Sequence, residues 1–111
     1  MAIIIKTTNP SGLLTLIKQQ IDNKKIETWS YDSEGDFTHT PDQWKLKAWF
    51  KPVIYKEELR FGILGPKDVE LSTAIYGVYH GRFIEMLLSH FDKNFSDAIA
   101  TSQKTVPDNF K

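Results

Sequence analysis

Cysteine is absent from the 111-residue sequence. That excludes a disulfide framework, a thiolate zinc site and a cysteine nucleophile. An excess of either charge is also missing: 14 basic residues balance 14 acidic ones, whereas a protein built to hold duplex DNA is usually clearly basic. Long apolar runs are lacking too. The opening MAIIIKTT has three strongly apolar residues before Lys6, too few for a signal-peptide core, and no basic start, so a cytoplasmic location is expected. There is no nucleophile elbow, phosphate loop or HExxH pattern. No reaction and no cofactor are implied, and the expectation leans away from an enzyme.

What the chain does have is aromatic bulk, with three Trp, four Tyr and seven Phe, in a length that suits one domain with a real core. The organising stretch is STAIYGVYHGRFIEMLLSHF, Ser72 to Phe91. Ser72 is a good N-cap. With about 100° per residue, Ile75, Tyr76, Tyr79, Phe83, Ile84, Met86, Leu87, Leu88 and Phe91 spread over an arc of roughly 220°. An ordinary surface helix carries an apolar stripe of about 100° or somewhat more, so this one is expected to be flanked on two sides. Arg82, Glu85 and two histidines exclude a membrane span. His80 projects into the middle of the apolar arc. Gly77 and Gly81, one turn apart, each cost about 1 kcal/mol relative to Ala. Close packing against a strand or helix of the same chain is the expected compensation, with a self-association face as the alternative.

The remaining elements follow from period and punctuation. Ala2 to Thr7 is β-branched and reads as an edge strand. Asn9-Pro10 starts a helix running to about Asn23, with Leu13, Leu14, Leu16, Ile17 and Ile21 on one face. Ile26 to Asp32 and Asp36 to His39 read as strands joined by Ser33-Glu34-Gly35, the glycine supplying a positive φ. Thr40 to Gln43 is a single helical turn. Trp44 to Phe50 alternates as a half-buried strand that Pro52 ends or places at an edge. Glu58 to Leu64 is the next strand, with Leu59, Phe61 and Ile63 inward. Ser96 would cap a short helix through Thr101. The expected fold is therefore α+β: an antiparallel meander of about four strands, a fifth optionally from the N-terminus, with an N-terminal helix and a long C-terminal helix on one face. One domain over residues 1–103 is followed by a flexible tail over 104–111.

Several residue groups invite a functional reading. Between sheet and long helix, His80, Tyr76, Trp49 and Trp44 would line a small-molecule pocket, with His80 titrating in a useful range. The plainer alternative for His80 is a core histidine bonded to a backbone carbonyl. Charge is segregated: Glu27, Asp32, Glu34, Asp36 and Asp42 precede a basic segment holding Lys45, Lys47, Lys51, Lys56 and Arg60. Cross-strand pairing of these opposite charges is the plain explanation. Alternatively Lys45, Lys47, Trp49 and Arg60 form a strand face for protein docking or, less favoured, for single-stranded nucleic acid. Asp32, Asp36 and His39 bring hard and borderline ligands near one loop, but Phe37 stands where a calcium loop needs glycine, so no metal is expected. Ser11-Gly12 at the first helix start is a minor anion candidate. Together these point to a binding domain acting through protein–protein contact or self-association, with an unknown protein partner or a second copy, no membrane, and nucleic acid disfavoured.

Overall fold

The computed structural model describes residues 1–110; Lys111 lies outside the described residues. The elements are β1 (Ile3–Lys6), α1 (Pro10–Asp22), β2 (Trp29–Tyr31), β3 (Phe37–His39), β4 (Trp49–Tyr55), β5 (Glu58–Leu64), α2 (Thr73–Phe91) and β6 (Asp97–Ala100). All pairings are antiparallel, and the six strands run in the order β2-β3-β4-β5-β1-β6. The α+β fold with both helices on one sheet face is the one the sequence pattern implies. No helix among the described residues is long and apolar enough to cross a membrane.

Local chemistry sets the helix ends. The Asn9 side chain accepts from the Gly12 N–H at 3.1 Å, with Pro10 at the first helical position. α1 then buries Leu13 and Ile17 and packs on β2, β4 and β5. Ser72 caps α2 by accepting from the Ile75 N–H at 3.2 Å. Gly35 has φ +83°, as its turn requires.

The core is aromatic. Phe83 of α2 stands edge-on to Trp29, with ring centroids 4.9 Å apart, and lies 4.6 Å from Phe61 and 5.0 Å from Phe50. Phe37, Phe50, Phe61 and Trp29 are all fully buried. Phe37 pairs with Phe50 across β3–β4, and Ile3 and Ile5 of β1 face Phe61 and Leu59 of β5. One row of inward side chains thus continues across the sheet beneath α2.

Five sequence expectations need correction. β1 is an interior strand, paired on both sides by β5 and β6. Residues 97–100, expected as helix, form β6, because pairing with β1 outweighs local preference. The strand placed at Trp44–Phe50 begins only at Trp49 and runs on to Tyr55. Residues 41–47 form turns instead, with the Trp44 and Lys45 N–H groups both bonded to the Pro41 carbonyl and Leu46 at φ +58°. Pro52 therefore sits inside β4. Its nitrogen points toward the β3 side, where β3 has already ended: their pairing is limited to Phe37 and Phe50, so no donor is missed. Finally, α2 is flanked on one side only. Tyr79, His80, Phe83, Met86, Leu87 and Phe91 are buried, an arc of about 140°. Leu88 is exposed, and a Cβ built at Gly77 or Gly81 meets nothing within 4 Å. Among the described residues the glycines have no packing reason.

The segregated charges do not pair across strands either. Among the described residues, Glu58 takes Lys6 from β1 and Arg60 from its own strand, each at 2.5 Å, and both hold its carboxyl below the usual range, against a smaller opposing effect of burial. Across β3–β4 the register sets Asp36 beside Lys51, whose charge acts weakly on the Asp36 carboxyl, but no ion pair joins the acidic and basic segments among the described residues. Residues 104–110, set apart by the sequence as a tail, run along the end of β5. Asp108 accepts from the Ile63 and Thr105 N–H groups at 2.8 Å each, Asn109 bridges to Leu64, and Pro107 lies over Gly62.

Because Phe83 touches four core rings, Phe83→Ala should cost about 3–5 kcal/mol of unfolding free energy. Urea unfolding checks this, and a loss under 1 kcal/mol would contradict the central role given to that ring.

Candidate functional site

Two concave sites stand out among the described residues. The larger, about 890 Å³, lies at the start of α1 and includes Lys6, Asn9, Ser11, Gly12 and Lys93. Several of its polar groups are committed internally. Asn9 holds the Gly12 N–H, the Thr7 hydroxyl donates to the Asn94 carbonyl at 2.7 Å, and Lys6 is bound to Glu58. The anion reading of Ser11-Gly12 therefore finds its glycine N–H already taken.

The second site, about 430 Å³, is a notch between the β2–β3 edge and α2. His39 and Trp44 form one wall. Arg82, Glu85, Met86 and His90, spaced along one side of α2, form the other. His39 is set by its neighbours. It pairs with Trp29 across β2–β3, and the two rings stack at 4.6 Å with 33° between planes. Its Nδ1 lies 2.7 Å from the Thr28 carbonyl oxygen. The residue is 4% exposed, and its Nε2 bonds to no protein group among the described residues but keeps contact with solvent. Burial pushes the imidazole below its ordinary value of 6.5; the Thr28 carbonyl opposes that, and Arg82 adds to the lowering. The ring is thus neutral near pH 7. With the proton on Nδ1, facing a carbonyl, Nε2 offers a lone pair toward the notch.

The opposite wall is fixed through Tyr79. Its hydroxyl donates to the Trp44 carbonyl at 2.5 Å and lies 3.1 Å from the Thr38 hydroxyl, which donates to the Ala48 carbonyl. α2 thereby anchors the 41–47 turn and holds the half-buried Trp44 beside His39. At the rim, Lys25 and Arg82 are balanced by Glu27 and Glu85, so the notch exerts little long-range pull on either charge.

The structure brings together only part of what the sequence singled out. Trp44 and His39 meet in the notch. His80 does not: it is 7% exposed, its Nδ1 lies against the Tyr76 carbonyl and its Nε2 against the Met1 carbonyl, and its ring stands edge-on to Phe50 at 5.2 Å. Neither concave site includes His80, Tyr76 or Trp49. Trp49 is half-buried and pairs with Leu64 on the sheet face away from the helices. Lys45 and Lys47 are exposed on the turn before β4, off the strand that carries Trp49. Arg60 is occupied: it donates to Glu58 and to the Val106 carbonyl, and its guanidinium lies 4.8 Å from the Tyr55 ring centre.

Asp32 closes its own turn, its Oδ1 accepting from the Glu34 and Asp36 N–H groups at 3.0 Å each. Burial, then the charges of Asp32 and Glu34, raise the Asp36 carboxyl above its ordinary range, against a smaller opposing effect of Lys51. Among the described residues no three His, Asp or Glu side chains are placed to hold one metal ion. Arg82, Glu85 and His90 were missed as site residues. Their place on one side of the α2 wheel was visible, but nothing in the spacing connects them to His39.

The lowered His39 value makes stability depend on pH with a definite sign. The unfolded chain binds the proton more tightly, so the His39 contribution is complete above about 6.5 and is lost as pH falls through 6.5 toward the folded value. Urea unfolding between about pH 8 and pH 5 should show the native protein losing stability relative to His39→Gln as pH drops. A difference that is flat, or that grows in the native protein's favour, would contradict the assignment.

No protein-family model, curated protein or solved structure matches this chain.

Proposed function

We propose that this chain is a binding domain whose notch takes a small, uncharged, planar ligand carrying a hydrogen-bond donor. The observation that carries the reading is His39: a nearly buried imidazole, locked through Nδ1, with an unpartnered Nε2 beside a cavity. Nε2 is open to the notch, where a ligand donor would take the place of solvent. The volume lies within the range of small-molecule sites, roughly 300–1,000 Å³. Trp44 and Met86 offer apolar walls for a flat ring. The balanced rim charges favour a ligand without net charge. A main-chain carbonyl, not a carboxylate, orients the imidazole, which suits an acceptor for a bound group better than a catalytic dyad.

Phenol and anisole test this, since they share a ring and differ in the donor. Titration is followed by the imidazole ¹⁵N shifts and Trp fluorescence. Phenol should move the His39 Nε2 signal saturably and leave His80 unmoved, anisole should bind at least tenfold more weakly, and His39→Phe should abolish the preference. Equal binding of the two probes, or no saturable shift at His39, would sink the proposal.

A further inference from the structure

We propose that the groove beside the start of α1 binds a neutral, polyhydroxylated ligand, a short saccharide. The groove shares no residue with the notch, so its occupancy does not depend on the ligand proposed there.

Three segments meet at this end of the sheet: the end of β1, the first turns of α1, and residues 93–96 between α2 and β6. Ser11, Thr15 and Gln19 recur every four residues, so they form one polar rail along α1. The rail is about 12 Å long, and all three residues are exposed. Asn94, Phe95 and Ser96 build the facing wall. That wall is firmly set. The Asn94 carbonyl accepts from the Thr7 hydroxyl at 2.7 Å, and the Asn94 N–H donates to the Phe91 carbonyl at 2.8 Å. The Ser96 N–H donates to the Lys6 carbonyl at 2.9 Å. On the wall's side these are main-chain groups, which leaves the Asn94 side-chain amide available. Phe95 is half-buried against the core cluster, so part of its ring is held and part is uncovered.

Charge narrows the class of ligand. Lys6 is bound to Glu58 at 2.5 Å, and Lys93 is offset by Glu57 on the same groove. With the Gly12 N–H held by Asn9, no concentrated positive charge is left for an anion. A purely apolar ligand is disfavoured too. It would strip water from the rail and from the Asn94 amide without replacing the lost hydrogen bonds. What the lining offers is bifunctional: Ser and Thr hydroxyls and Asn and Gln amides each donate and accept. Sugar hydroxyls do the same, so a saccharide can satisfy these groups in either direction. Its C–H face matches the uncovered part of Phe95 and the half-buried Leu16. The groove, about 890 Å³, lies within the range of small-molecule sites, roughly 300–1,000 Å³.

Maltose, cellobiose, lactose and chitobiose serve as probes, each titrated into the full chain and followed by ¹H–¹⁵N spectra that include the side-chain amides. At least one should shift the Asn94 and Gln19 amide signals saturably, with a Kd of the order of 1 mM or tighter. The His39 imidazole signals should stay still. Thr15→Val with Gln19→Leu, both at exposed positions, should weaken that binding at least tenfold with the rest of the spectrum unchanged. Phe95→Leu, which keeps apolar bulk and removes the ring, should weaken it similarly. Excess inorganic phosphate should not displace the sugar. No saturable shift with any of the four probes, binding indifferent to the Thr15 and Gln19 changes, or displacement by phosphate would each overturn the proposal.

Discussion

The contact on which this structure depends is the Phe83 ring lodged among Trp29, Phe37, Phe50 and Phe61. These rings belong to four different strands and one helix, so a single side chain couples α2 to most of the sheet. Full burial of one such ring contributes about 1.5–3 kcal/mol, and edge-on geometry adds about 0.5–1.5 kcal/mol per well-placed pair. The arrangement has a cost. The Trp29 Nε1–H is buried with no hydrogen-bond partner among the described residues. The ring position is evidently determined by packing, since its polar atom gains nothing from it.

That packing reaches the notch directly. Trp29 touches Phe83 on one side and His39 on another, so the imidazole is set by the same cluster that seats the helix. Tyr79, one turn before Phe83, ties the turn carrying Trp44 to the same helix. Both walls of the notch are therefore consequences of how α2 lies on the sheet. The notch is a built feature of the core's margin, and its shape should persist wherever the core is intact.

How much of this was legible in the sequence depended on whether the determining contacts were local. Ser72 and Asn9 announced their helices because capping is decided within four residues. Glu58 to Leu64 announced a strand because its alternation matches a face that is in fact buried. Trp44 to Ala48 also alternates, yet it is a turn. Its backbone is held by the Pro41 carbonyl and by Tyr79, and Leu46 adopts a positive φ that no pattern of hydropathy encodes. Asp97 to Ala100 looked helical and became a strand because Ile3–Lys6, more than ninety residues away, offered it an edge. The site was least legible of all. His39 meets Arg82 and His90 only through the packing of α2, and His80, the more conspicuous histidine on the wheel, proved to be bonded to backbone carbonyls.

Pro52 carries a consequence beyond its tolerance inside β4. Past Phe50 the strand has lost β3 as a neighbour, so residues 51–55 overhang as a bare margin of the sheet. Margins of that kind recruit strands from other molecules and seed fibrillar growth. A proline whose nitrogen faces outward removes a donor such a recruit would need, and the charged Lys51 beside it discourages stacking further. What resembles a lapse in strand design thus withholds a backbone donor from any strand that would pair along that margin.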